Sequence, residues 1–192
     1  FLTNGEGFKK FGRGLFYLFI VLFPFVNYMG YLFYATTSRS VNLVIFIEAL
    51  TLIFGIVLFK KNNSISFFKS PITLSLILFL LILIVSGLLG MDFGSSFWSK
   101  ATRMTGIFYF LHVGLFYLFF LMFFNDESYL RKFFKVFLFS AAVFSIAAFL
   151  SKDGLGLIFV SKPWTGFTFG NSTFAGMYMY AAIMLSIYYV LS

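Results

Sequence analysis

The 192-residue chain contains no cysteine and a single histidine. Without cysteine there is no disulfide, no thiol nucleophile and no thiolate metal site, and one imidazole cannot build a histidine-rich metal centre. Charge is equally scarce: 10% of residues are charged, against about 25% in an average soluble domain. That shortage excludes a water-soluble globule. Disorder is excluded by the 24% aromatic content, because disordered chains are poor in such residues. What is present is 61% apolar sequence with a mean hydropathy of +0.99, the composition of a membrane protein.

The formal net charge of +8 could point to nucleic acid, but the cations fall in small clusters between long uncharged runs, as membrane-flanking anchors do. A helix needs about 20 apolar residues to cross the hydrocarbon core. Six runs approach that size: Leu15 to Ala35, Val41 to Phe59, Pro71 to Leu89, Met104 to Phe124, Val136 to Leu150 and Phe169 to Leu191. They are continuous rather than alternating, which favours helices over strands. The fifth has only 15 residues, so it extends into its flanks or belongs to a bent segment. The sequence therefore predicts an all-α, polytopic helical membrane protein of about six transmembrane helices, forming a single transmembrane domain over residues 1–192.

Loop charges set the orientation. With the N-terminus cytoplasmic, the inner segments hold Lys9, Lys10, Arg13, Lys60, Lys61, Lys69, Arg131, Lys132 and Lys135, nine in all, and the outer ones hold Arg39, Lys100, Arg103, Lys152 and Lys162, five in all. Small-xxx-small pairs such as Gly90 with Gly94 and Gly166 with Gly170 fall in loops and are weak helix-packing signals. The chain begins at Phe1 and its last apolar run stops at Ser192, the appearance of a piece of a longer protein.

Two outer segments carry chemistry. Gly94 to Gly106 reads GSSFWSKATRMTG. Trp98 falls where an indole favours the membrane–water boundary. Lys100 and Arg103 are three apart, so a fourth helix beginning here would project both from its first turn. Two cations beside a helix N-terminus suit a diphosphate; the same three residues also suit ordinary interfacial anchoring. In the second segment, Asn171, Ser172 and Thr173 are good N-cap residues for the sixth span, and they also spell a glycosylation sequon. Glu48 and His112 lie inside apolar runs, where polar groups are costly. Nine residues, about 13.5 Å of helix, separate Glu48 from Arg39, so a partner on another helix suits it better. Both read as groups that tie the bundle together.

Phe97 and Trp98, the Arg-Met-x-Gly run at Arg103, Met104 and Gly106, and His112 six residues beyond that glycine resemble the O-antigen ligase family of bacterial inner-membrane glycosyltransferases, in particular its large members with a tetratricopeptide tail. Phe23-Pro24-Phe25, Glu48 and Gly170-Asn171 agree in order. The family often has glycine where this chain has Ser99, and proline where it has Ser172. The resemblance implies an N-terminal half, with later spans and a periplasmic loop bearing a second arginine and the catalytic histidine beyond Ser192; His112 matches instead the family's histidine within the fourth span.

The activity so implied is transfer of a glycan from undecaprenyl diphosphate to an acceptor hydroxyl at the periplasmic face of the bacterial inner membrane, without nucleotide, metal or other cofactor. The acceptor is a lipid A core sugar, a protein or another glycan. Arg103 takes the catalytic role, with Lys100, Trp98 and Asn171 binding substrate. A guanidinium suits the task because it stays charged and grips phosphate oxygens in a bidentate fashion. This piece alone is expected to insert without catalysing. A transporter or channel subunit with Glu48 and His112 along its pathway, and a non-catalytic membrane scaffold, are the alternatives; neither matched broken helices nor a dense ladder of charge supports the former.

Overall fold

The computed structural model describes residues 5–25, 35–60, 70–100, 105–152 and 172–191. Among them are seven α-helices and no strand: α1 Gly5–Leu22, α2 Ala35–Lys60, α3 Pro71–Leu89, α4 Phe93–Trp98, α5 Ile107–Phe123, α6 Glu127–Lys152 and α7 Ser172–Leu191. The all-α expectation holds. Two helical stretches, Pro71–Leu89 and Glu127–Phe149, are long and apolar enough to cross a membrane, while Ser40–Gly55, Ile107–Phe123 and Ala175–Leu191 are apolar but shorter.

Helix ends follow local chemistry. Ser70 is extended and Pro71 opens α3, where its missing N–H costs nothing; Gly90 ends it. Along α3 the side chains of Ile72, Leu74, Leu78, Leu81, Ile82, Val85 and Leu88 are exposed, an apolar surface suited to lipid rather than water. The expected fifth span at 136–150 is part of a longer helix. Its charged lead from Glu127 to Lys135 contains the good helix formers Glu127, Leu130, Arg131, Lys132 and Lys135, and Glu127 pairs with Arg131 one turn on.

The first span departs from expectation at both ends. Apolarity begins at Leu15, but the helix begins at Gly5 and ends at Leu22, with a turn over 23–25. Pro24 supplies the reason for the stop, since it lacks an N–H and disfavours helix in the residue before it. The earlier start takes Arg13 out of the flanking loop. Its side chain is buried, with the guanidinium 3.7 Å from the centroid of the Tyr129 ring and 3.7 Å from Glu6 Oε2.

The chain divides into two compact units, one of residues 1–39 with 125–192 and one of 40–124. In the first, Arg13 meets Tyr129, the Ser140 hydroxyl donates to the Ile20 carbonyl (3.1 Å), and Phe25 meets Phe144, so α1 and α6 run in the same direction. Tyr189 donates to the Arg131 carbonyl and Tyr178 to the Ser140 hydroxyl, so α7 runs against α6. In the second unit, Thr73 hydrogen-bonds Tyr117 (3.0 Å) and Phe79 packs on Phe110, which makes α3 and α5 antiparallel. Glu48 meets His112 and Phe54 meets Phe123, which makes α2 and α5 parallel.

Candidate functional site

The segment between α3 and α5 is built from short-range hydrogen bonds. Asp92 caps α4: its carboxylate accepts from the Ser95 hydroxyl and from the Ser95 backbone N–H (3.3 Å), while the Ser96 hydroxyl donates to the Asp92 carbonyl (3.0 Å). Those bonds from Ser95, the hydroxyl first, hold the Asp92 carboxyl below the usual carboxylate range. After Trp98 the backbone turns sharply. Ser99 has φ 62° and ψ −175°, a conformation that glycine adopts freely and other residues rarely, and its N–H donates to the Ser95 carbonyl (2.9 Å).

The short helix is seated by a glycine. Gly106, extended at the N-cap of α5, lies against the Phe97 backbone so closely that a Cβ there would collide with the Phe97 carbonyl. A Cβ at Gly87 of α3 would likewise collide with the Ile107 side chain. Where these pieces meet there is a cavity of about 220 Å³, lined by the small polar residues Ser86, Ser96 and Thr105 and by Gly106, Ile107 and Phe110. Its hydroxyls can give and take hydrogen bonds with a polar guest.

Four aromatic rings join this segment to α5. Phe97 lies 5.0 Å from Trp98 and 5.8 Å from Phe108, Trp98 lies 4.8 Å from Phe108, and Phe108 lies 4.3 Å from the His112 ring, centroid to centroid. His112 then reaches α2, its Nε2 2.9 Å from Glu48 Oε1. Phe97, Trp98, Phe108, His112 and Glu48, with Gly106 against Phe97, therefore form one packed series from the segment between α3 and α5 to the middle of α2.

The expected ligand-binding residues fare unequally. Trp98 ends α4 and is half exposed; Lys100 is exposed two residues on and makes no ion pair among the described residues. Helix α5 starts at Ile107 rather than Met104, and Lys100 lies outside any helix, ahead of the first turn of α5. The cause is Gly106, a poor helix former held extended beneath the Phe97 carbonyl. Arg103 and Asn171 lie outside the described residues; α7 opens at Ser172, beside the expected cap. Glu48 takes a partner from another helix, His112 of α5, the arrangement its distance from Arg39 favoured. Phe108, the ring that connects Trp98 to His112, escaped sequence reading; its position four residues before His112 was the available signal. No protein-family model matches the chain, and no curated protein or solved structure matches it either.

Proposed function

We propose that the chain is the N-terminal half of a multi-pass glycosyltransferase of O-antigen ligase type, which moves a glycan from undecaprenyl diphosphate to an acceptor hydroxyl at the periplasmic face of the bacterial inner membrane. The observation that carries this reading is the convergence of Phe97, Trp98, Gly106, His112 and Glu48. These residues carry the sequence resemblance across 64 positions from Glu48 to His112, and they lie in a single packed series joined through Phe108.

Two further observations support it. Ser99 occupies a glycine-type backbone conformation at the position where the family often has glycine. The helix directions within each unit also fit six alternating spans: α1 and α6 agree as first and fifth, α2 and α5 agree as second and fourth, and the antiparallel pairs are neighbours in that order. With the N-terminus cytoplasmic, α4 and Lys100 face the periplasm.

In this reading Arg103, supported by Lys100, neutralises the charge that grows on the diphosphate as the glycosyl bond breaks. Trp98 holds the segment at the membrane surface, and Asn171 orients the lipid head or the acceptor. The donor carries its own leaving group, so the protein needs to hold the diphosphate, stabilise its charge and deprotonate the acceptor. The test is glycan transfer by the full-length protein in cells lacking their own transferase. Arg103→Ala lowers the rate by about 10²–10³, as loss of a charge-stabilising donor does elsewhere, and Arg103→Lys also loses activity because it cannot grip two oxygens. Normal transfer by Arg103→Ala overturns the proposal.

A further inference from the structure

His112 is held at both nitrogens. Nδ1 lies 2.8 Å from the Phe108 carbonyl oxygen, one turn back on α5, and Nε2 lies 2.9 Å from Glu48 Oε1 on α2. A carbonyl oxygen only accepts, so Nδ1 carries a proton. The contact between Nε2 and the carboxyl then needs one more proton, on the ring or on the acid, and in either arrangement the pair is neutral overall. The Glu48 side chain is half exposed on the surface of α2, and where the proposed function has that face meet lipid, a neutral pair is the favoured one. The two bonds constrain the imidazole: its plane is held between the α2 carboxyl and its own helix.

That plane is the base of the aromatic series. The Phe108 ring rests 4.3 Å from the imidazole, and Trp98 and Phe97 rest on Phe108. Glu48 is therefore coupled to Trp98 without touching it. We propose that the Glu48–His112 pair is a positioning device that sets the Phe108–Trp98 bracket and, through it, the placement of the segment that carries Ser99 and Lys100. The inference deepens the reading of that segment as the donor-binding loop and rests on it for its purpose, although the mechanical coupling stands on geometry alone. The other groups bearing on the pair are few. Among the described residues α5 contributes Tyr109 and Tyr117, α3 contributes no titratable group, and Lys100 follows α4.

Trp98 provides the readout. The chain has two tryptophans, and Trp164→Phe leaves Trp98 alone. In that background, purified in detergent, Glu48→Leu shifts Trp98 emission to longer wavelength and increases its quenching by acrylamide. Glu48→Gln keeps both near the parent values, because its amide N–H donates to Nε2. His112→Gln, which can still reach Glu48 but offers Phe108 no ring, shifts emission as Glu48→Leu does and covers the case in which Glu48→Leu does not fold. In the full-length transferase the same Glu48→Leu change raises KM for the lipid diphosphate donor, and Glu48→Gln restores it. Unchanged Trp98 emission and quenching in folded Glu48→Leu or His112→Gln overturns the coupling, as does a folded Glu48→Gln that behaves like Glu48→Leu. If Trp98 responds while donor KM does not, the coupling stands and the donor-loop reading fails.

Discussion

The carbonyl oxygen of Phe97 fills the space that a side chain at position 106 would need, so that the last turn of α4 rests directly on the backbone of Gly106. The Arg-Met-x-Gly run therefore ends in a glycine for a steric reason, whatever chemistry its arginine performs. Any larger residue pushes α4 away from the start of α5 and opens the cavity beside Ser96 and Thr105.

Gly106→Ala is accordingly destabilising, by about 1–3 kcal/mol, the usual cost of forcing an extra carbon into a packed site. Thermal unfolding in detergent, followed by light scattering or Trp98 emission, reads the loss as a lowered midpoint. Gly176→Ala is the control, because a Cβ there meets nothing within 4 Å.

Ser99→Gly works in the opposite direction. The strain of a non-glycine residue in this region is about 1–3 kcal/mol, and glycine's extra freedom in the unfolded chain takes back about 0.5–1 kcal/mol. A net gain of about 1 kcal/mol is expected, seen as a higher unfolding midpoint. Ser99→Ala gives no such gain, since alanine suffers the same strain.

The cap of α4 depends on pH. Asp92 is held below the usual carboxylate range by the Ser95 hydroxyl and N–H, so its folded form resists protonation more than its unfolded form does. A depressed carboxyl adds stability that is fully present above the unfolded value and lost as pH falls through the folded one. The α4 cap is thus intact at neutral pH and weakens below the usual carboxylate range. Trp98 emission followed on acidification reports it, and Asp92→Asn, which still caps but does not titrate, flattens the profile.

Hydropathy made much of this architecture legible and left specific parts hidden. The run from Pro71 to Leu89 and helix α3 coincide because Pro71 and Gly90 bracket it chemically. Hydropathy measures where water is excluded rather than where hydrogen bonding continues, so the charged starts of α1 and α6 were invisible to it. Glu48 and His112 were recognisable as costly polar groups, but their pairing joins residues 64 apart in sequence and belongs to tertiary packing. The left-handed Ser99 was hidden because serine, unlike glycine, gives no sign of positive φ. That α5 begins at Ile107, leaving Lys100 ahead of it, was hidden too, because it turns on Gly106 and its backbone contact with Phe97; Arg103 lies outside the described residues.

The central claim, that the segment after α4 faces the periplasm and receives a diphosphate, is tested most directly by labelling. The 192 residues contain no cysteine, so Lys100→Cys introduces a unique thiol into them. Treated with a membrane-impermeant maleimide, spheroplasts bearing this variant are predicted to be labelled at position 100 without permeabilisation, and more slowly when lipid-linked diphosphate glycan has accumulated. Labelling only after the membrane is opened, at a rate indifferent to the lipid, would contradict it.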